Sequence, residues 1–221
     1  MREIKFSVIL PTYNVANYIA ESLGCLMHQT YDNFEVIVVD DCSTDRSSEI
    51  AKGFVERDDR FFYVKHEENM GASCARNTGI KHATGEYILF LDPDDTYEHF
   101  MLEVLAKTLS RNPVDLIVYG HTEDYRNQTS GKLEYSKKFT LADLDYDDDS
   151  FSTNDAVTIH KIAMQMEGKT MLGYPWNKAY KRSIVVENNL TFPKLNHCED
   201  VFFNCDYLDH VKSMTVIADV C

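Results

Sequence analysis

The chain has 221 residues, enough for one large domain with a substantial core and short for two. Its 22 basic residues against 36 acidic ones leave a net charge of -14. That balance opposes non-specific attraction to nucleic acid or to an anionic membrane, since both are polyanions, and predicts a small-molecule or cation-mediated partner and no nucleic acid.

The N-terminus, "MREIKFSVILPTYN", moves from charges straight into a short strand, without the apolar core and small-residue cleavage site of a signal peptide. "FSVIL" (6–10) is predicted as a first strand, and "ANYIAESLGCLMHQ" as a helix with Ile19, Leu23, Leu26 and Met27 on one face. "FEVIVVD" (34–40) is a second buried strand, followed by "STDRSSEIAKGFVER", a helix opened by Ser/Thr/Asp capping residues Ser43, Thr44 and Asp45. "FFYVK" is a third strand, and "GASCARNTGIKHATG" a helix closed by Gly85 in the C-cap role. "YILFL" (87–91) is a fourth strand, then a helix from about Tyr97 to Ser110 and a strand "DLIVYG" (115–120). The alternation predicts an α/β fold with a Rossmann-like, doubly wound, mostly parallel sheet flanked by helices.

From His121 to about Asn154 the pattern turns polar and charged, which reads as hairpins or loops at an edge. "NDAVTIHKIAMQMEG" is predicted helical, "YPWNKAYKRSIVVENN" a loop leading to a short helix, and "CEDVFFNCDYLDHV" a helix whose apolar positions Val201, Phe202, Cys205 and Leu208 share a face. "SMTVIADVC" is a last strand of buried type. The whole is read as one domain over 1–221 in two halves, 1–120, which carries the alternating strands and helices, and 121–221. A buried-type strand at the very end predicts either a chain that continues further or a homo-oligomer in which another subunit covers that edge. No apolar run approaches the ~18 residues a membrane span needs, so membrane contact is expected to be peripheral. Six scattered cysteines without a C-x-x-C pair read as reduced thiols of a cytoplasmic protein.

The chemistry concentrates in "EYILFLDPDDTYE" (86–98). A strand apolar on both faces belongs inside a covered parallel sheet, and ligands bind beyond the C-terminal ends of such strands. Asp92, Asp94 and Asp95 crowded there would repel one another unless a positive group sits among them, and a divalent cation is the obvious candidate. "PTYN" (11–14) and "DDCSTD" (40–45) fall at the ends of the first and second strands, so Asp40 and Asp41 are predicted to share that cleft. "PTYNVANY" has no glycine, which excludes the G-x-G-x-x-G route to a diphosphate. A diphosphate held through Mg²⁺ or Mn²⁺ bridged to carboxylates remains, and Asp92 and Asp94, spaced i, i+2 around Pro93, suit it.

In order along the chain, "FSVILPTYNVANYIAESLGCLMHQTYDNFEVIVVDDCSTDRS", "NMGASCARNTGIKHATGEYILFLDPDD", "WNKAYKRSIV" and "FPKLNHCEDVFFN" resemble the family 2 glycosyltransferases of the GT-A fold, inverting enzymes that use nucleotide-activated sugars. The resemblance spans nearly the whole chain apart from 121–170. It implies a base-recognising Asp41, a nucleobase pocket lined by Pro11 and Tyr13, a D-x-D pair of Asp92 and Asp94 with Asp94 the direct metal ligand, and Asp200 as catalytic base. It also implies a UDP-sugar donor and a glycan or glycoprotein acceptor in bacterial surface polysaccharide or glycoprotein synthesis, at a cytoplasmic location or peripherally on the inner membrane face.

Residue chemistry alone supports Asp200 only in part, because a carboxylate opening a helix is favoured there by the helix dipole in any case. Arg76, on the helix after "NMGAS", would serve a diphosphate, against the ordinary alternative of a surface ion pair. Trp176 is read as a wall of the donor or acceptor site or as core. The run "DLDYDDD" (143–149) lacks the glycine and glutamate of a calcium loop and reads as a solvated acidic face. Two rival readings stay open: a nucleotidyltransferase, whose glycine-rich basic signature loop is missing, and a non-catalytic donor-binding or assembly module.

Overall fold

A computed structural model describes residues 3–127, 132–139, 144, 150–168, 171–195 and 197–220. The acidic run at 143–149 lies outside the described residues except for Leu144. In chain order the elements are β1 (Phe6–Thr12), α1 (Ile19–Met27), β2 (Phe34–Asp40), α2 (Ser47–Val55), β3 (Phe61–Lys65), α3 (Ala72–His82), β4 (Tyr87–Phe90) and α4 (Met101–Arg111). They continue as β5 (Leu116–Arg126), β6 (Leu133–Phe139), β7 (Ser150–Thr153), α5 (Ala156–Gly168), β8 (Lys178–Lys181), α6 (Arg182–Glu187), α7 (Glu199–Leu208) and β9 (Met214–Val220).

The described strands form one sheet in the order β3-β2-β1-β4-β8-β5-β9-β7, with β6 pairing the outer part of β5. β1, β2, β3 and β4 run parallel; β8 enters antiparallel between β4 and β5, and β9 runs parallel to β5. Alternate residues of the same strands feed two separate cores, because successive side chains of a strand point to opposite faces. Ile9, Ile37, Ile88 and Phe90 join Ala75 and Ile80 of α3, Ile159 and Ile162 of α5 and Phe203 of α7. Val8, Leu10, Val36 and Leu89 join Leu23 and Leu26 of α1, Ala51 of α2 and Leu102 and Leu105 of α4. The sheet is therefore covered on both faces, as the unbroken apolar runs of its strands require. The chain winds from β1 outward to β3 and then crosses to β4, which opens a crevice beyond the carboxyl ends of β1 and β4.

Four expectations are corrected. Gly85 does not cap α3, whose C-cap is Ala83. A Cβ at Gly85 would lie 2.6 Å from the backbone nitrogen of Ser7 and 2.7 Å from the carbonyl carbon of Phe6, so the glycine is there for close approach to β1. "KAYK" is a central strand rather than loop, its Lys181 end donating to Asp115 Oδ1 at 3.0 Å and its Lys178 end satisfied by hydrogen bonds described below. On α7 the buried residues are Phe203, Asn204 and Tyr207, while Phe202 and Cys205 face solvent. Finally, β9 is not an edge: β5 flanks it on one side and β7 on the other, which removes the edge that a second subunit was expected to cover.

No helix among the described residues is long and apolar enough to cross a membrane. Cys25, Cys42, Cys74, Cys198 and Cys205 carry free thiols.

Candidate active site

The turns after β1 and β2 are laced together. Asn14, in the left-handed region at φ 52, accepts from the backbone N–H of Thr44 at 2.8 Å and of Asp45 at 3.3 Å. Its own N–H donates to Ser43 Oγ, that of Val15 to Ser47 Oγ and that of Ala16 to Asp45 Oδ2. Of the three expected capping residues only Asp45 serves α2, accepting from Ser47 N at 2.9 Å; Ser43 and Thr44 bind the neighbouring turn. Pro11 is buried beside Val39, and Tyr13 projects from the strand end with 46% of its surface exposed.

Asp40 and Asp41 are both buried, and each has work in the scaffold. Asp40 accepts from Ser43 N and from the Tyr63 hydroxyl. Burial pushes its carboxyl up, but these bonds outweigh that and hold it below the usual range. Asp41 accepts from Met70 N at 2.9 Å, Gly71 N at 2.7 Å and His66 Nδ1 at 2.7 Å, which pins the loop leading into α3. Gly71, at φ 90, takes a conformation a side chain would resist. A shallow hollow lined by Lys65, His66, Glu67, Glu68 and Met70 opens alongside.

At the end of β4, Ser22 Oγ of α1 donates to the Pro93 carbonyl at 2.7 Å and Asp95 N donates to the Asp92 carbonyl, fixing the D-P-D turn. Crowding away from solvent and the charges of Asp92 and Asp94 push the Asp95 carboxyl up to about 7, even though part of its surface stays open. Asp94 is exposed, and its carboxylate makes no hydrogen bond among the described residues. Among the described residues no set of three or more His, Cys, Asp or Glu side chains surrounds a single cation position. Two carboxylates with a third crowded behind them nevertheless fit a hard cation that draws its other oxygens from a diphosphate and water.

Arg76 organises the rest. It is 5% exposed, so the surface ion pair is excluded. One terminal nitrogen donates to Asp92 Oδ1 at 3.0 Å, and the other to Asp200 Oδ1 at 2.8 Å, 124 positions along the chain, with Glu199 Oε1 at 3.8 Å. The guanidinium lies 5.3 Å from the centre of the Phe192 ring, and its Nε is buried without a hydrogen-bond partner among the described residues. Both ends serve carboxylates instead of standing open to a phosphate. Burial pushes Asp200 up to about 6; Arg76 pulls against this, Glu199 and Asp92 add to it, and Lys178 opposes it.

The loop between α5 and β8 leans on the same helix. Asn204 Nδ2 donates to the carbonyls of Leu172 and Gly173, and Lys178 Nζ to those of Met171 and Tyr174 and to Asn177 Oδ1. Three acceptors and no donor around Nζ call for an ammonium, although burial drags its pKa down to about 7. Trp176, held by Tyr119 OH donating to its carbonyl, stacks on Tyr174 with ring centroids 4.7 Å apart. Sequence patterning misses Lys178 and Asn204, since polar residues inside a core give no periodic signal and their partners are defined only by the fold.

A family model described as glycosyl transferase family 2 matches residues 7–186. The chain belongs to that family. EpsH of Bacillus subtilis (strain 168), which bears a glycosyltransferase name, is 35% identical over 201 residues, 90% of this chain and 54% of EpsH. Glycosyltransferase GlyA of Streptococcus pneumoniae serotype 4 (strain ATCC BAA-334 / TIGR4) is 34% identical over 203 residues, 90% of this chain and 27% of GlyA. The chain thus spans about half or less of the length of these relatives. Among solved structures, S. aureus TarS 1-349 in complex with UDP-GlcNAc superposes with a TM-score of 0.77 at 26% identity, over 98% of this chain and 56% of TarS. The mannosyltransferase PcManGT from Pyrobaculum calidifontis, in complex with GDP-Man and Mn2+, shares the fold at a TM-score of 0.67 and 21% identity, over 100% of this chain and 56% of its own. These neighbours place the sheet among GT-A glycosyltransferases. Asp200 lies beyond the matched 7–186 span.

Proposed function

We propose that the chain is a metal-dependent inverting glycosyltransferase that moves a sugar from a UDP-sugar to a hydroxyl of a glycan or glycoprotein. The observation that carries the reading is the Asp92–Arg76–Asp200 bridge, which draws the D-x-D turn of β4 and the first turn of α7 to one end of the sheet. The UDP-GlcNAc complex of TarS supports the donor class. Asp94 and Asp92 would hold Mn²⁺ or Mg²⁺, whose charge neutralises the departing diphosphate. Tyr13 and Pro11 flank the nucleobase, and Asp41 is the acid that recognises it. Asp200 takes the proton of the acceptor hydroxyl as that oxygen attacks the anomeric carbon from the face opposite the diphosphate. Arg76 holds Asp200 in place, and its charge keeps the carboxylate ionised despite burial.

Incubation with radiolabelled UDP- and GDP-sugars, with and without Mn²⁺, tests this directly. Metal-dependent hydrolysis or transfer from a UDP-sugar is expected. Tight UDP binding with no turnover of any donor would instead make the chain a non-catalytic donor-binding module.

A further inference from the structure

Asp41 stands where a nucleobase would meet it and is closed against one. Its N–H donates to the Thr12 carbonyl at 2.8 Å, which sets it beside Tyr13 at the end of β1. Yet its side chain is 3% exposed, and its carboxylate is occupied by donors of the protein itself. Oδ1 accepts from His66 Nδ1 at 2.7 Å and from Met70 N at 2.9 Å. Oδ2 accepts from Gly71 N at 2.7 Å and from the same Met70 N at 3.1 Å. A carboxylate offers about four lone-pair positions, and these N–H groups, with Met70 shared between both oxygens, take them all. A base N–H therefore reaches Asp41 only by displacing one of them.

The donors are held unequally. His66 is buried, its ring fixed between Asp41 and Thr78 Oγ1 at 2.9 Å from Nε2, and its own N–H donates to the Asp40 carbonyl. Gly71 opens α3, and its carbonyl accepts from Ala75 N. Met70 has neither anchor: its N–H is split between two oxygens, and Glu67, Glu68 and Asn69 before it are exposed. Asp41 aside, the hydrogen bond that holds residues 67–70 among the described residues is the long one from the Cys42 thiol to the Glu67 carbonyl, 3.4 Å. The segment is thus fixed at both ends, while its last residue rests on the carboxylate.

An incoming uracil matches the donor that would leave. Uracil presents an N–H between two carbonyls, so its N3–H can replace the Met70 N–H at Asp41 donor for donor, and the buried carboxylate is never left short. The released Met70 N–H turns to solvent with its exposed neighbours, where water accepts from it. Lifting the segment with no base present would instead strip a donor from a buried charge, which costs free energy.

We propose that residues 67–70 form a cover over Asp41 that the base itself opens: uracil N3–H takes the place of the Met70 N–H, while His66 and Gly71 keep the carboxylate in register. The cover rests on the UDP-sugar reading above, and adds that base and diphosphate act on different parts of the chain.

Amide exchange of the whole chain, read residue by residue by NMR with Mg²⁺ in place of paramagnetic Mn²⁺, tests it. With UDP the Met70 amide is expected to exchange about tenfold or more faster than in the free chain, while Gly71 stays slow. A bound ligand ordinarily slows the amides around it, so the sign is diagnostic. Pyrophosphate, which has no base, and N3-methyl-UDP, whose N3 carries no hydrogen, leave Met70 slow. By calorimetry N3-methyl-UDP binds about tenfold or more weakly than UDP, the loss expected for one hydrogen bond to a charged group. UDP bound with Met70 still slow overturns the cover and leaves the donor reading standing. So does a Met70 amide that is already fast in the free chain, or one freed equally by pyrophosphate or N3-methyl-UDP. UDP that binds with neither Mg²⁺ nor Mn²⁺ removes the donor reading, and the cover falls with it.

Discussion

As the proposed base, Asp200 needs to be ionised to take a proton, yet it is packed among groups that favour its neutral form. Burial, Glu199 and Asp92 raise it; Arg76 at 2.8 Å and Lys178 restrain it, and the outcome is a carboxyl near 6. The sign follows: the working form is present above about pH 6 and is lost as pH falls through it, so kcat drops about tenfold per unit on the acid side. In R76M the restraining charge is gone and the acid limb moves to higher pH, while R76K restores part of it. A wild-type limb near 4, or one that does not move in R76M, defeats this account of the arginine. D200N tests the base itself. It should lower transfer by about 10² to 10⁴-fold and leave UDP affinity in Mn²⁺ nearly unchanged. E199Q removes the adjacent charge and keeps the base; an inactive E199Q beside an active D200N would reverse the two assignments.

Among the elements, β1, β2 and β4 are legible in sequence because a strand covered on both faces must be apolar throughout. The D-x-D turn is legible because it follows directly. β8 is not legible: "NKAYK" is polar, and Lys178 is tolerated inside because the carbonyls of Met171 and Tyr174 and Asn177 Oδ1 accept from its ammonium. The face of α7 fails for the same reason, since Asn204 and Tyr207 are buried through bonds to Leu172, Gly173 and Asp115 that lie far off in sequence. Arg76 is visible as a charge, but its two partners are set by how α3, β4 and α7 converge. Gly85 is the clearest case of a glycine read for the wrong reason. It lets the turn before β4 touch β1, with its N–H donating to Ser7 Oγ at 2.8 Å, beside buried Glu35, which accepts from Ser7, Thr84 and Lys5. Because the clash in G85A is with backbone, no rotamer relieves it, and the variant should lose about 1–3 kcal/mol in urea unfolding. A capping glycine replaced by alanine at ordinary φ would lose much less, so a loss of a few tenths would restore the capping role.

At the scale of the whole molecule the net charge of -14 sets a constraint on the donor. A nucleoside diphosphate is itself an anion, and the cleft offers it carboxylates at Asp92, Asp94 and Asp95, while buried Arg76 is committed to Asp92 and Asp200. Long-range repulsion and this local charge have the same sign, so under the proposed function affinity for UDP comes through a cation. Chelation with EDTA should therefore weaken UDP binding by about 10²-fold or more, the equivalent of roughly 3 kcal/mol. The salt response separates this from the usual phosphate cradle. With lysines and arginines around a phosphate, added salt screens an attraction and binding weakens. Here, in EDTA, raising ionic strength from about 0.01 to 0.15 M shortens the Debye length from roughly 30 to 8 Å and screens a repulsion, so residual UDP binding should hold or strengthen. Calorimetry that finds UDP bound equally well in EDTA, and weakened by salt, would place the diphosphate on basic side chains and remove the cation from Asp92 and Asp94.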